Sequence, residues 1–261
     1  MKTPQQARFG GPIHTEKARK MPRRKRSPAI HPFDRLHGTD TSGLIPGPAI
    51  AAGTNARLRD LTAYYGIAPS ILRATLDLWL QRTNPYPIER TVFLDVGAGK
   101  GRAVLLASEY PFLRVEGIEL NAGLATIAEA NAELWRKDAQ ANPLSPITVH
   151  HADATSHPLP PEAILAFLFH PFELPVLRRF LGHVENSLTL HSRPFDLIYV
   201  NAEHDSYLDR HPALHRLWTG LVPMSSEDHI ADLEAIAEQK EYGSTGDELC
   251  SIYRFQRRGG R

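Results

Sequence analysis

The sequence has a single cysteine, Cys250, in 261 residues, so no disulfide can close within the chain. Such sparse cysteine suits a reducing compartment, and a cytoplasmic location is expected. Long apolar runs are also missing. The longest, Ala163 to Phe169, is far below the roughly 20 residues that span a bilayer, and no membrane helix is expected. Acids are scarce at the start. Residues 1–26 hold nine Lys/Arg and one acid, Glu16, a net +8 that leaves −7 for the remainder of a chain whose overall charge is +1. With Pro4, Pro12, Pro22 and Pro28 and little apolar surface, residues 1–30 read as a disordered basic tail. No apolar stretch follows its basic residues, so a secretory signal is not expected. The run Arg23-Arg-Lys-Arg26 has the charge to hold nucleic acid, although short basic runs also serve as solubilising arms.

What is present centres on Thr91-Val-Phe-Leu-Asp-Val-Gly-Ala-Gly-Lys-Gly-Arg102. An apolar, β-branched run suits a strand buried on both faces of a parallel sheet. Gly97, Gly99 and Gly101 then permit positive φ and close approach of a ligand to peptide N–H groups. The following Arg102-Ala-Val-Leu-Leu-Ala has the composition of a helix, so strand, turn and helix N-terminus form a cradle for a nucleotide-like ligand. Two familiar versions of that cradle are excluded. A P-loop needs Ser or Thr after Gly-Lys, and Lys100 is followed by Gly101. The dinucleotide fingerprint needs a third glycine where Arg102 stands, and Asp95 would put negative charge beside a pyrophosphate. A cationic ligand tolerates Asp95, which favours S-adenosylmethionine, with its ammonium and positive sulfur.

Downstream of the loop, strands and helices alternate, as a parallel sheet with right-handed crossovers requires. Strands are expected at 113–120, 146–151, 163–169 and 195–200, with helices over 121–137 and 174–188. A closing antiparallel pair is expected from 233–239 and 248–255. The fold class is therefore α/β, a Rossmann-like, mostly parallel seven-stranded sheet with helices on both faces. Upstream, residues 31–89 are expected to form a small helical cap, with helices over 55–65 and 69–82, before a domain over 90–261. Glu119 ends the second strand about 20 residues past the loop, where an acid accepts from ribose hydroxyls. Asp153 follows the third strand and is placed to accept from an adenine amino group, with Ala154 offering a backbone N–H. His211 and His215 stand four apart, a spacing that suits metal ligands on one helix face. The intervening Pro212 and the missing H-E-x-x-H pattern favour surface histidines, and no metal is expected.

Residues 92–102, Gly117-Ile-Glu-Leu120 and His151-Ala-Asp-Ala154 resemble the first three motifs of class I S-adenosylmethionine-dependent methyltransferases. The resemblance spans about residues 90–205. Gly38-Thr-Asp-Thr41 ahead of the domain is also similar to a segment in a group of uncharacterised bacterial methyltransferases. The loop is similar as well to that of nucleosomal lysine methyltransferases lacking a SET domain. The resemblance implies cofactor contacts from Asp95, Gly97, Ala98, Gly99, Gly101, Glu119, Leu120, Asp153, Ala154 and His170. It also implies that the end of the fourth strand faces the transferred methyl, where amine-methylating relatives carry Asn-Pro-Pro-Tyr or Asn-Pro-Phe. Here the segment is His170-Pro-Phe-Glu173. Histidine titrates near neutral pH, so His170 is the first candidate base and Glu173 the second. Phe172 is the candidate to stack on the acceptor, and Tyr65 to close the site from the N-terminal side. The expected activity is methyl transfer to a protein lysine or another amine. Its rivals are a nicotinamide-dependent oxidoreductase and a non-catalytic cofactor-binding module whose tail grips nucleic acid.

Overall fold

A computed structural model describes residues 29–51, 62–83, 86–237 and 243–256. Seven strands form one sheet: β1 (Thr91–Val96), β2 (Arg114–Glu119), β3 (Ile147–His151), β4 (Ala163–Phe169), β5 (Phe195–Val200), β6 (Leu214–Pro223) and β7 (Asp247–Phe255). Their order is β3-β2-β1-β4-β5-β7-β6. β1 to β5 run parallel, and β7 lies antiparallel between β5 and β6. Every residue of β1 and β5 is buried, as strands that are apolar but for one Asp each require. The order reverses between β1 and β4, and in open α/β sheets the crevice at such a reversal, beyond the strand carboxyl ends, is where ligands bind.

Eight helices among the described residues cover the sheet: α1 (Pro32–His37), α2 (Gly47–Ala51), α3 (Pro69–Leu78), α4 (Arg102–Ala107), α5 (Ala122–Lys137), α6 (Leu174–Leu190), α7 (Asp205–Asp209) and α8 (Ser226–Ile236). On one face, Phe93 and Phe167 pack with Leu105, Trp135, Ile71 and Leu76 from α4, α5 and α3. On the other, Leu94, Val96 and Leu168 meet Leu177, Phe180 and Leu181 of α6. α3 presents Ile71, Leu72, Thr75 and Leu76 inward, then runs into a single π turn, Trp79–Thr83. Trp79 donates from Nε1 to Asp196 Oδ2 at 2.8 Å, while Arg254 holds both oxygens of the same carboxylate at 2.7 Å. Burying Asp196 in this way is tolerable because its charge is paired and hydrogen-bonded. Thus α3 belongs to the same core as β1 and β7, across the boundary expected near residue 89.

Two expectations need correction. The partner of β7 is Leu214–Pro223, not residues 233–239. Leu233 lies in α8, which Ser225 starts by accepting from Asp228 N, with Glu227 and Asp228 in the first turn. A register break between Arg216 and Trp218 disturbs the two-residue alternation of β6 and hid it from the sequence pattern. Second, of the helix expected over 55–65, residues 55–61 lie outside the described residues. Tyr64 is extended and bridges Ile45. His211 sits after α7 and the exposed His215 in β6, so the two do not share the helix face that metal ligation at that spacing would need. The basic tail expected over 1–30 lies outside the described residues except for Ala29 and Ile30.

Candidate functional site

A cavity of about 490 Å³ lies beyond the carboxyl ends of β1, β2 and β4. The loop that follows β1 forms its floor. Gly97 N and Ala98 N donate to Ile118 O at 2.9 and 3.0 Å, folding the loop back over β2. Gly97, Gly99 and Gly101 take φ of +81°, +56° and +89°, a region costly for residues with a Cβ. Crowding adds to the demand at two of them. A Cβ at Gly97 would meet Pro171 Cβ at 2.4 Å, and one at Gly99 would meet Tyr64 Cε2 at 2.2 Å.

Three acids stand at successive strand ends along the cavity. Asp95, next to last in β1, is 3% exposed, and its carboxyl accepts no hydrogen bond from the described residues. Burial, with the Glu119 charge beside it, pushes its carboxyl up to about 8. Glu119, ending β2, accepts from Gly99 N at 2.8 Å through Oε2 and from Asn121 N at 2.7 Å through Oε1. Burial raises its pKa against these backbone donors. Each oxygen keeps a second lone pair. Asp153, after β3, is exposed at the rim, where Oδ1 accepts from the amide and hydroxyl of Thr155, both at 2.8 Å. Ala98, Leu120 and Ala154 also line the cavity, while Gly101 lies below it as the N-cap of α4. Phe167, Phe169, Phe172 and Val176 add apolar lining, the first two from the α3–α5 side of the sheet and the other two from the α6 side, and the exposed Arg179 lines the cavity as well.

The His170-Pro-Phe-Glu173 segment divides in an unexpected way. Pro171 and Phe172 line the cavity; the His170 and Glu173 side chains do not. His170 takes φ +38°, and its carbonyl accepts from Thr62 Oγ1 at 2.9 Å. Its ring turns towards β5, with Nδ1 3.0 Å from the Tyr199 hydroxyl and Nε2 3.6 Å from Glu203 Oε2. Burial lowers its pKa, against the raising influence of Glu203. Glu173 faces His204 Nε2 at 3.5 Å. Neither candidate base lines the cavity: the turn at His170 sets its ring beside Tyr199 and Glu203, and Glu173 stands beside His204. Tyr65 lines the cavity, but its hydroxyl donates to Asp232 of α8.

The sequence pattern did not reveal the roles of Lys100, Arg102 and residues 34–42. Arg102 is 4% exposed and reaches back to the N-terminal segment. It donates to Thr41 Oγ1 at 2.7 Å, Thr41 O at 3.1 Å, and Gly66 O and Ile67 O at 3.2 Å. Asp34 Oδ2 lies 3.8 Å away and the Asp34 carboxylate accepts from Thr39, Thr41 and Ser42. Burial pushes Asp34 upward, but these hydroxyls and Arg102 prevail and hold it below its ordinary value. Lys100 Nζ donates to Asp40 Oδ1 at 2.7 Å and Ser42 O at 2.8 Å. Asn131 of α5 completes the clamp by exchanging bonds with the Asp40 backbone at 2.8 and 3.0 Å. Residues 38–42 form a strap tied to the ligand loop. Tyr64 links the two, donating to Thr41 O at 2.7 Å while its ring covers Gly99. Turn-forming Gly38-Thr-Asp-Thr41 and the Tyr64-Tyr-Gly66 triplet were the visible signals of this arrangement.

No family model and no curated protein matches the chain. Solved structures with a similar shape include Thermoplasma acidophilum 1320, at 13% identity and TM-score 0.47, covering 87% of this chain and 95% of that one. Another is TrmN of Thermus thermophilus, at 18% identity and TM-score 0.45, covering 73% of this chain and 49% of that one. A third is magnesium protoporphyrin IX methyltransferase (ChlM) of Synechocystis PCC 6803 with bound SAM, at 13% identity and TM-score 0.46, covering 72% and 79%. The fold of this chain rests on its own strand order, with the cavity at the point where that order reverses.

Proposed function

We propose that the protein is an S-adenosylmethionine-dependent methyltransferase. One observation carries the reading: Asp95, Glu119 and Asp153, from three successive strand ends, share one cavity with the glycine loop. The residues suit the cofactor's parts. A buried carboxyl with no partner among the described residues, Asp95, fits the ammonium of the methionine end. Glu119 has lone pairs for two ribose hydroxyls, and Asp153 with Ala154 N–H matches the adenine amino edge. Leu124 and Ile50, packed on Tyr64, supply apolar surface along the same wall. When bound, the cofactor supplies a methyl group on a positively charged sulfur. The chain's contribution is alignment and exclusion of water, since an acceptor held in line needs little further activation.

The acceptor end supports a planar or apolar body between Phe169 and Phe172, with Arg179 also lining the cavity. A protein lysine or another amine, the class expected from the sequence, fits this wall when it enters as the neutral amine. His170 then acts through position: its carbonyl, bonded to Thr62, fixes the turn that presents Pro171 and Phe172.

The test is calorimetric titration with S-adenosylhomocysteine and with NADH, followed by methyl transfer from labelled cofactor to a fractionated lysate. S-adenosylhomocysteine is expected to bind and NADH not to bind. Glu119→Gln should weaken binding at least tenfold while keeping a cooperative thermal melt. Binding of NADH alone would replace this reading with the oxidoreductase, and cofactor binding without transfer to any fraction would favour the non-catalytic module.

A further inference from the structure

Away from the cavity, on the α6 side of the sheet's β3 edge, Glu116 of β2, His150 of β3 and His157 of the following turn converge. One donor atom from each lies within 4.8 Å of the others. None of the three lines the cavity. Parallel pairing of Glu116 with Thr148 and Ile118 with His150 puts the carboxylate and the first imidazole on the same face of the sheet. His150 Nε2 stands 3.2 Å from Glu116 Oε2. The two imidazole rings lie 4.6 Å apart between centroids.

We propose that Glu116, His150 and His157 form a divalent-metal site, taking Zn²⁺ or a similar borderline ion, that staples the turn after β3 to the β2–β3 edge. Two imidazoles and one carboxylate are a ligand set for Zn²⁺ and related ions. The surroundings hold these ligands in place. Arg114 Nε donates to Glu116 Oε1 at 2.6 Å, which orients the carboxylate and leaves Oε2 towards the imidazoles. Its guanidinium charge is matched by a two-pronged pair with Glu162, both bonds at 3.0 Å. Arg114 and Arg193 together balance Glu116 and Glu162, so a cation is drawn by the three converging donor atoms themselves. His157 is fixed through its backbone: its N–H donates to Asp153 O at 2.9 Å, and its carbonyl accepts from His183 Nε2 of α6 at 2.7 Å. Partners that orient ligands in this way belong to metal sites as much as the ligands do. A bound ion takes the place of the hydrogen bond between His150 and Glu116, the His150 imidazole then carrying its proton on Nδ1. Its structural effect is to fix the turn that carries Asp153, Ala154 and Thr155 into the cavity wall.

The experiment uses the full, tag-free chain, treated with a chelator and desalted, and titrates it with Co²⁺ by visible absorption and with Zn²⁺ by calorimetry. One Zn²⁺ per chain is expected, with cobalt d–d bands that Zn²⁺ removes. His150→Asn and His157→Asn should each weaken Zn²⁺ at least tenfold, whereas His211→Asn with His215→Asn should not. Circular dichroism on each variant separates lost ligation from lost folding, and the half-exposed His157 is the variant least coupled to the core. Zn²⁺ should also slow amide exchange at Ser156 and His157. Zn²⁺ binding equal in wild type and the folded His150→Asn/His157→Asn double variant would overturn the site. Binding without slower exchange at the turn would overturn the staple. All readouts are independent of S-adenosylmethionine.

Discussion

At the scale of single residues, Arg102 and Lys100 look alike in the sequence and differ sharply in the fold. Arg102 is enclosed with Asp34, whose side chain is 1% exposed, while the Asp40 that faces Lys100 is 67% exposed. Removing one partner of a buried pair strands the other charge, so Arg102→Met is expected to cost about 3–5 kcal/mol. Lys100→Met breaks a pair whose acid lies in water but also removes the bond from a buried ammonium to Ser42 O, and should cost less than that, about 1–3 kcal/mol. Chemical denaturation of the two variants measures both. Asp95 gives a second prediction. Its carboxyl, raised to about 8, holds its proton at pH 7 in the ligand-free protein, and an ammonium ligand drives that proton off. Cofactor binding at pH 7 should release close to one proton, seen as a dependence of the binding heat on buffer ionisation enthalpy. Asp95→Asn should abolish that release. The sign for stability follows from the same shift. A raised carboxyl stabilises the fold only while protonated, so the ligand-free protein loses this contribution as pH rises from about 4 to about 8. Asp95→Asn should therefore narrow the difference in melting temperature between pH 5 and pH 8.

At the scale of elements, the loop after β1 is constrained from both sides. Gly99 needs φ +56° and has the Tyr64 ring against it, so Gly99→Ala should reduce S-adenosylhomocysteine binding at least tenfold. A titration with affinity unchanged would refute the role given to this contact. β1, β4 and β5 could be read in the sequence because burial on both faces leaves nearly unbroken apolar runs such as Thr91–Val96 and Ala163–Phe169. β6 could not: it is an edge strand, largely exposed, and bulged between Arg216 and Trp218. The three acids were legible because a strand end is a local signal. The direction of the His170 ring was not, since it depends on a positive φ in a non-glycine residue and on Tyr199, which lies 29 positions away. The strap was equally hidden, because its bonds join side chains of the loop to backbone some 60 residues earlier.

At the scale of the whole molecule, Ile71, Leu72, Leu76 and Trp79 fill the same core as Phe93, Val104 and Ile252. A fragment beginning at residue 90 would expose that apolar surface and leave Asp196 without its indole partner. It is expected to aggregate or remain unfolded, whereas residues 29–261 should unfold in one cooperative transition with coincident near- and far-ultraviolet dichroism curves. The strap adds an order of events. Residues 34–42 leave the ribosome well before Lys100, Arg102 and Asn131, the side chains that fasten them, have been synthesised. Residues 34–42 therefore cannot be fastened until residue 131 has been made, and the Asp34 carboxylate stays in water until the ligand loop reaches it.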